Sequence, residues 1–169
     1  MTTEPLCPPA NPPEKELGKL ILRMSHQPEG VIALHKKGKQ EQTFEFLERG
    51  LKAEAVRVIK VDILEVLVKF QHAGHLFGNF LSSLIERPDW QENTAFLFCI
   101  PENLTREQAV LLLGNLDFFC GRDGFEEQIL QNHKVYPIFL LSDNARKDIR
   151  SSNSFGNIRE PTICDFTGL

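Results

Sequence analysis

The sequence lacks the short motifs by which many small enzymes are recognised. No Gly-rich phosphate loop follows a predicted strand, since Gly38 stands alone in its loop, and no Gly-x-Ser-x-Gly elbow occurs. The four cysteines have no Cys-x-x-Cys spacing, which excludes a local zinc ribbon or redox motif. Cys99 lies in an apolar run and Cys120 directly follows one, so both are interpreted as small buried hydrophobic residues.

The sequence also lacks an excess of positive charge and any long apolar run. A net charge of −4 and a pI near 5.7 indicate neither nucleic acid nor an anionic membrane as a partner. The only basic run, residues 35–39, is interpreted as a solvated loop. The apolar runs are too short to span a bilayer, and the N-terminus does not resemble a secretory signal. We therefore expect a cytoplasmic protein.

The distribution of prolines and apolar residues predicts three parts of the chain. Five of the ten prolines lie in residues 1–13, which predicts an extended, disordered arm. Residues 14–141 alternate apolar strands with helical patterns and form the predicted globular domain. Residues 142–169 are polar with spaced apolar residues, which predicts an extension that packs on the domain.

Short apolar segments near residues 31–35, 55–61, 95–100 and 135–141 are predicted strands. Because helical patterns separate them, we predict a single α/β domain with a mixed or mostly parallel sheet of about four strands. Residues 55–61 also fit helical spacing, and a helix there would favour an α+β fold instead. Pro137 predicts an edge position or a bulge for the last strand.

Two segments have long helical patterns. Residues 62–87 form the longest amphipathic pattern, with Asp62 as the predicted N-cap. Leu64 lies on its otherwise polar side, so we expect the first turns to be covered on both sides. Residues 105–119 are apolar almost all round, which predicts burial in the domain or at a subunit interface. Thr105 and Gln108 have the spacing of a capping box at the start of that helix.

Polar residues follow the predicted strands, where ligands bind in an open α/β sheet. A carboxylate or amide cluster there could bind a small polar ligand, and the candidates are Asp62, Glu102, Asn103, Asp143 and Asn144. His72 and His75 are spaced to share a metal ion on one helix face, although solvent-facing histidines fit the pattern equally well. Gly74 and Gly78 indicate close approach of another backbone. The sequence indicates no particular cofactor.

Two functions follow from these patterns. The first is a non-enzymatic protein-interaction or regulatory domain that binds a protein partner or forms a homodimer through apolar helical surface. The second is a small-ligand or nucleotide-binding enzyme with its site at the strand ends, assisted by a metal ion at the two histidines.

Overall fold

The structure is a computed structural model that describes residues 12–26, 30–69, 80, 83–110, 112, 134–151 and 162–169. Helices and strands alternate along this part of the chain. They are α1 (Pro13–His26), β1 (Val31–His35), α2 (Gln40–Ala53), β2 (Arg57–Asp62), α3 (Ile63–Lys69), β3 (Thr94–Cys99), β4 (Val135–Ser142), α4 (Asp143–Ser151) and β5 (Thr162–Asp165).

The five described strands form one parallel sheet with the order β2-β3-β4-β1-β5. The predicted α/β class is confirmed, because the sheet is parallel throughout and flanked by helices. The four predicted strands are all present. The fifth strand, β5, comes from the polar C-terminal segment and pairs with β1 at the edge of the sheet.

Apolar residues alternate between the two faces of the sheet. On β3, Phe96 and Phe98 point to one face, while Ala95 and Leu97 point to the other, and all four are fully buried. Helix α3, the start of α4 and the helical residues 106–110 cover the Phe96 face. Helices α1 and α2 cover the opposite face. A sheet buried on both faces explains why β3 reads as a continuous apolar run.

The alternative of a helix over residues 55–61 is wrong, because α2 ends in a Schellman motif just before them. Ala55 has a positive φ of 58°. The Val56 N–H donates to the Leu51 carbonyl, and the Ala55 N–H donates to the Lys52 carbonyl, each at 3.0 Å. This pairing uses the last carbonyls of the helix and turns the chain into β2. The strand therefore begins at Arg57, two residues after the predicted start.

The edge position predicted from Pro137 is also wrong, since β4 lies between β3 and β1. The carbonyl of Leu140 accepts a hydrogen bond from the Ile100 N–H on the β3 side. Backbone groups alternate in direction along a strand, so Pro137 faces β1. Strand β1 begins at Val31, opposite Ile138. The N–H that proline lacks therefore falls just outside the β1–β4 ladder.

Both predicted helix starts are found. The Asp62 Oδ1 accepts the Leu64 N–H at 3.0 Å and caps α3. The Thr105 N–H donates to Gln108 Oε1 at 3.0 Å, and the Gln108 N–H donates to Thr105 Oγ1 at 3.2 Å, which is the reciprocal capping box. The expected cover over Leu64 is absent, since 36% of this residue is exposed.

Much of the two long helical patterns lies outside the described residues. Of residues 62–87, the structure describes α3, Phe80 and residues 83–87, so Gly74 and Gly78 are outside it. Of residues 105–119, it describes 105–110 and Leu112, which is buried, whereas Val110 is 48% exposed. Among the described residues, no helix is long and apolar enough to cross a bilayer.

Residues 142–169 contribute to the body of the sheet in their described part. Ser142 ends β4 and its Oγ accepts the Ala145 N–H at 3.1 Å, which caps α4. Near the end of the chain, Cys164 and Phe166 are fully buried against α1 and α2. The predicted arm, residues 1–13, lies almost entirely outside the described residues.

Candidate functional site

The carboxyl ends of all five strands lie at one edge of the sheet because the strands are parallel. This edge carries the five residues proposed from the sequence. Asp62 ends β2, Glu102 and Asn103 follow β3, and Asp143 and Asn144 begin α4 after β4. Shared location at one edge does not bring them into one cluster, since each carboxylate among the described residues has a different neighbour.

The neighbours of these carboxylates are local. The Ser142 hydroxyl donates to Glu102 Oε2, which joins the ends of β3 and β4. Asp143 Oδ2 lies 3.0 Å from Lys147 Nζ on the next turn of α4, and both side chains are mostly exposed. Asp62 caps α3. The predicted ligand-binding set therefore forms no single site, and two parts of this edge are the candidate sites.

The first part is the crevice between the carboxyl ends of β4 and β1. These strands are neighbours, but α2 leads from β1 towards β2, and α4 leads from β4 towards β5. The two helices pack on opposite faces of the sheet. Adjacent strands whose connections diverge in this way open a crevice, which is the usual ligand site of an open α/β sheet.

In this chain, the Gln40 side chain fills the crevice. Gln40 is the first residue of α2, and its Nε2 donates to the Ile100 carbonyl at 2.8 Å. The same nitrogen lies 3.5 Å from the Leu140 carbonyl and 3.5 Å from His35 Nε2. One amide thus contacts the ends of β1, β3 and β4 and bridges the crevice between them.

His35 is the other buried polar residue of the crevice, with 1% of its surface exposed. Its Nδ1 lies 3.0 Å from the Lys36 carbonyl, which can only accept, so Nδ1 carries the proton. In the neutral ring, Nε2 is then an acceptor for the Gln40 amide. The histidine is thereby committed to internal hydrogen bonds.

The loop that leads from β1 to α2 is only four residues long, Lys36 to Lys39. Gly38 has a φ of 79°, and the Lys39 N–H donates to the Lys36 carbonyl in a tight turn. A phosphate-binding loop of the GxxxxGK[ST] type places a hydroxyl after its lysine. Gln40 stands at that position here. The Gly-Lys pair at a helix start was the signal in the sequence that could have drawn attention to Gln40.

We expect the Gln40→Leu substitution to lower the free energy of unfolding by about 1–3 kcal/mol, because the buried Ile100 carbonyl loses its donor. Urea unfolding followed by circular dichroism measures this change. The matched control is Gln42→Leu at an exposed position of the same helix, for which we expect a change within about 0.5 kcal/mol. Equal losses from both variants would show that the amide does not hold the crevice closed.

The second part of the edge is open. A cleft of about 460 Å³ lies at the carboxyl ends of β2 and β3, and we call it the β2–β3 cleft. Its floor includes Cys99 and Pro101, and its walls carry charged side chains. The described residues that line it are Gln40, Lys60, Asp62, Leu64, Glu65, Cys99 and Pro101.

The electrostatics of the β2–β3 cleft centre on Lys60. Its Nζ donates to Glu41 Oε2 at 3.1 Å, and this hydrogen bond raises the pKa of the lysine above its ordinary value. The ammonium also lies 4.8 Å from the centre of the Phe44 ring. Burial raises the pKa of the Cys99 thiol to about 11, so the thiol is protonated at neutral pH. Cys99 is therefore a poor nucleophile here.

Only Asp62 in this cleft was proposed from the sequence. Lys60 and Asp62 are two residues apart on β2, and this spacing places them on the same face of the strand. That alternation was a usable signal. The helical pattern places Leu64 and Glu65 on the polar side of the helix, but the sequence does not show that this side faces the ends of β2 and β3.

The predicted metal site cannot be compared with these contacts, since His72 and His75 lie outside the described residues. In the described part of the chain, no three histidine, cysteine, aspartate or glutamate side chains lie close enough to hold a metal ion.

No known protein family and no curated protein matches this sequence. Among solved structures, the chain is similar to Hsp104 in a closed-state cryo-EM reconstruction with ATPγS and FITC-casein, with 14% identity and a TM-score of 0.48. It is also similar to a Walker-type ATPase of Pyrococcus abyssi, with 11% identity and a TM-score of 0.42. The matches cover 94% and 95% of this chain but 27% and 57% of those chains. Likenesses this distant carry no conclusion about function.

Proposed function

We propose that this chain is a cytoplasmic, non-catalytic interaction domain that binds a segment of a partner protein in the β2–β3 cleft. One contrast at the edge of the sheet carries the proposal. The crevice between β4 and β1 is filled by the Gln40 amide, whereas the neighbouring β2–β3 cleft is open to solvent.

The lining of the cleft suits a peptide. Its volume of about 460 Å³ lies within the range of about 300–1,000 Å³ that is typical of ligand sites. Leu64 presents an exposed apolar side chain, and Pro101, Cys99 and charged side chains line the cleft with it. An apolar centre with a polar rim is the usual composition of a recognition site for protein segments.

Site-specific cross-linking tests this proposal. A photoreactive amino acid is placed at Leu64 and, as the matched control, at Leu22 of α1, which is 60% exposed and does not line the cleft. We expect a discrete product with another protein from position 64 alone, formed in the living cell and identified by mass spectrometry. Products of the same kind from both positions, or none from position 64, would contradict the proposal.

A second copy of the chain is the other protein that the cross-link can report. It would appear as a product of twice 19.3 kDa from position 64. Such a product would show that the cleft binds a second copy of this chain, and it would contradict the proposal of a different partner protein.

A second candidate function is a nucleotide-binding enzyme, favoured by the Gly38-Lys39 pair at the start of α2 after a buried strand. A thermal-shift titration with ATP and GTP, each with Mg²⁺, separates the two functions. We expect no change in Tm, because Gln40 fills the crevice. A Tm that rises with nucleotide concentration would favour the enzyme.

A further inference from the structure

We propose that the β2–β3 cleft selects a segment of the partner that carries an arginine beside an apolar residue. This inference rests on the function proposed above and adds the chemistry of the ligand. The juxtaposition that carries it is an exposed apolar residue, Leu64, and two carboxylates, Asp62 and Glu65, in the lining of one open cleft.

The charges around the cleft do not balance. Lys60 is the only cation among the described residues that line the cleft, and it already forms an ion pair with Glu41 at 3.1 Å. Asp62 uses Oδ1 to accept the Leu64 N–H. Within the described part of the chain, neither Asp62 nor Glu65 forms a salt bridge. Among the described residues, the lining therefore carries two carboxylates without an ion pair, and it is complementary to a positively charged group.

The position of Leu64 distinguishes a basic side chain from a small cation. Leu64 lies between the two carboxylates in sequence, on the first turn of α3, and Pro101 lines the cleft beside it. An arginine can pack its methylene stem on these apolar groups and direct its guanidinium to the carboxylates. A small hydrated cation would gain nothing from the apolar wall.

Arginine fits this arrangement better than lysine. Its planar guanidinium carries five donors and can reach two acceptors from one position. Asp62 and Glu65 belong to adjacent parts of the chain, the end of β2 and the start of α3, so they approach a ligand from neighbouring directions. Both carboxylates are exposed, so charge contributes selectivity while the buried apolar contact contributes most of the affinity.

An NMR titration of the full chain tests the proposal. The probe is a pool of pentapeptides with arginine at the centre and mixed apolar residues on both sides, compared with the same pool containing uncharged citrulline at the centre. We expect the amide signals of Leu64, Glu65 and Cys99 to shift with the arginine pool. We expect the citrulline pool to bind about two- to fivefold more weakly, as for loss of an exposed ion pair.

Two variants provide the matched comparison. Glu65→Gln removes a carboxylate of the cleft and should reduce arginine-pool binding to the level of the citrulline pool. Glu92→Gln removes an exposed carboxylate before β3, at the opposite edge of the sheet, and should leave binding unchanged.

The outcomes separate this inference from the proposed function. Equal binding of the two pools, or equal effects of the two variants, would overturn selection of arginine. Absence of any shift in the cleft would do the same. In each case, a partner protein cross-linked at position 64 would still support the proposed interaction domain. Absence of that cross-linked product would contradict the proposed function itself.

Discussion

Replacement of Phe98 by alanine is expected to lower the free energy of unfolding by about 3–5 kcal/mol. Phe98 is fully buried in the middle of the sheet, on β3. Its ring lies 5.2 Å from that of Phe139 and 6.0 Å from that of Phe80, measured between centroids. Removal of the ring leaves a cavity between the sheet and the helices on this face. The neighbouring side chains relax only partly, so the cavity is not filled. Since domains of this size are stable by about 5–15 kcal/mol, the loss is a large part of the total.

Urea unfolding monitored by far-ultraviolet circular dichroism measures this change. Phe46→Ala is the matched control, because Phe46 is only partly buried on α2 and has one described ring neighbour, Phe166 at 6.1 Å. We expect it to cost about half as much or less. Phe98→Leu, which keeps most of the apolar volume, gives a measurable protein if the alanine variant does not fold. Similar losses for Phe98→Ala and Phe46→Ala would contradict a core centred on β3.

Replacement of Glu16 by alanine is expected to lower the free energy of unfolding by about 2–3 kcal/mol and to loosen β5. Glu16 is 3% exposed on α1, and its Oε2 accepts the Asp165 N–H at 3.0 Å. Lys19, one turn later, donates to the Ile163 carbonyl at 3.2 Å. A charge-assisted bond to a backbone N–H is stronger than a neutral one. Together these bonds connect α1 to a four-residue edge strand that pairs only with β1 among the described strands.

Hydrogen exchange at the amides of Cys164 and Asp165 reports the loosening directly, and urea unfolding gives the stability. Glu14→Ala, at an exposed position in the same turn of the helix, is the control, with an expected change within about 0.5 kcal/mol. Glu16→Gln keeps an acceptor oxygen and should lie between the control and the alanine variant. Unchanged exchange at Asp165 in Glu16→Ala would show that Glu16 does not hold β5.

Three of the four strands that were found in the sequence are those whose burial forces an apolar composition, whereas the edge strand β2 was found from its β-branched residues. β1, β3 and β4 lie inside the sheet and are covered on both faces, so their apolar runs are nearly continuous. β5 was missed because it is an edge strand of four residues in a polar segment. Its position depends on Val31 and its neighbours, more than a hundred residues earlier, and on Glu16 of α1.

Pro137 shows why a local rule fails in a parallel sheet. The rule that proline belongs at an edge assumes that its missing N–H would face a neighbouring strand. Whether it does depends on where the neighbouring strand begins. β1 begins at Val31, opposite Ile138, so the missing N–H costs no pairing. That register arises from contacts distant in sequence.

The candidate site was also only partly predictable from the sequence. Residues after strands were found from the sequence, because a parallel sheet brings all its carboxyl ends to one edge, and Asp62 does lie in the β2–β3 cleft. The closure of the crevice was not found, since it requires Gln40 to reach carbonyls sixty and one hundred residues away.

Composition and periodicity in this chain predict the α/β class, four of the strands and the caps at Asp62 and Thr105, because those features depend on neighbours within a few residues. The order of the strands, the filling of one strand-end crevice and the opening of the next depend on the register between distant segments. The side chains that close the crevice are ordinary polar residues whose role arises from their partners. For this reason, only the tertiary structure at this edge of the sheet shows the roles of Gln40 and Leu64.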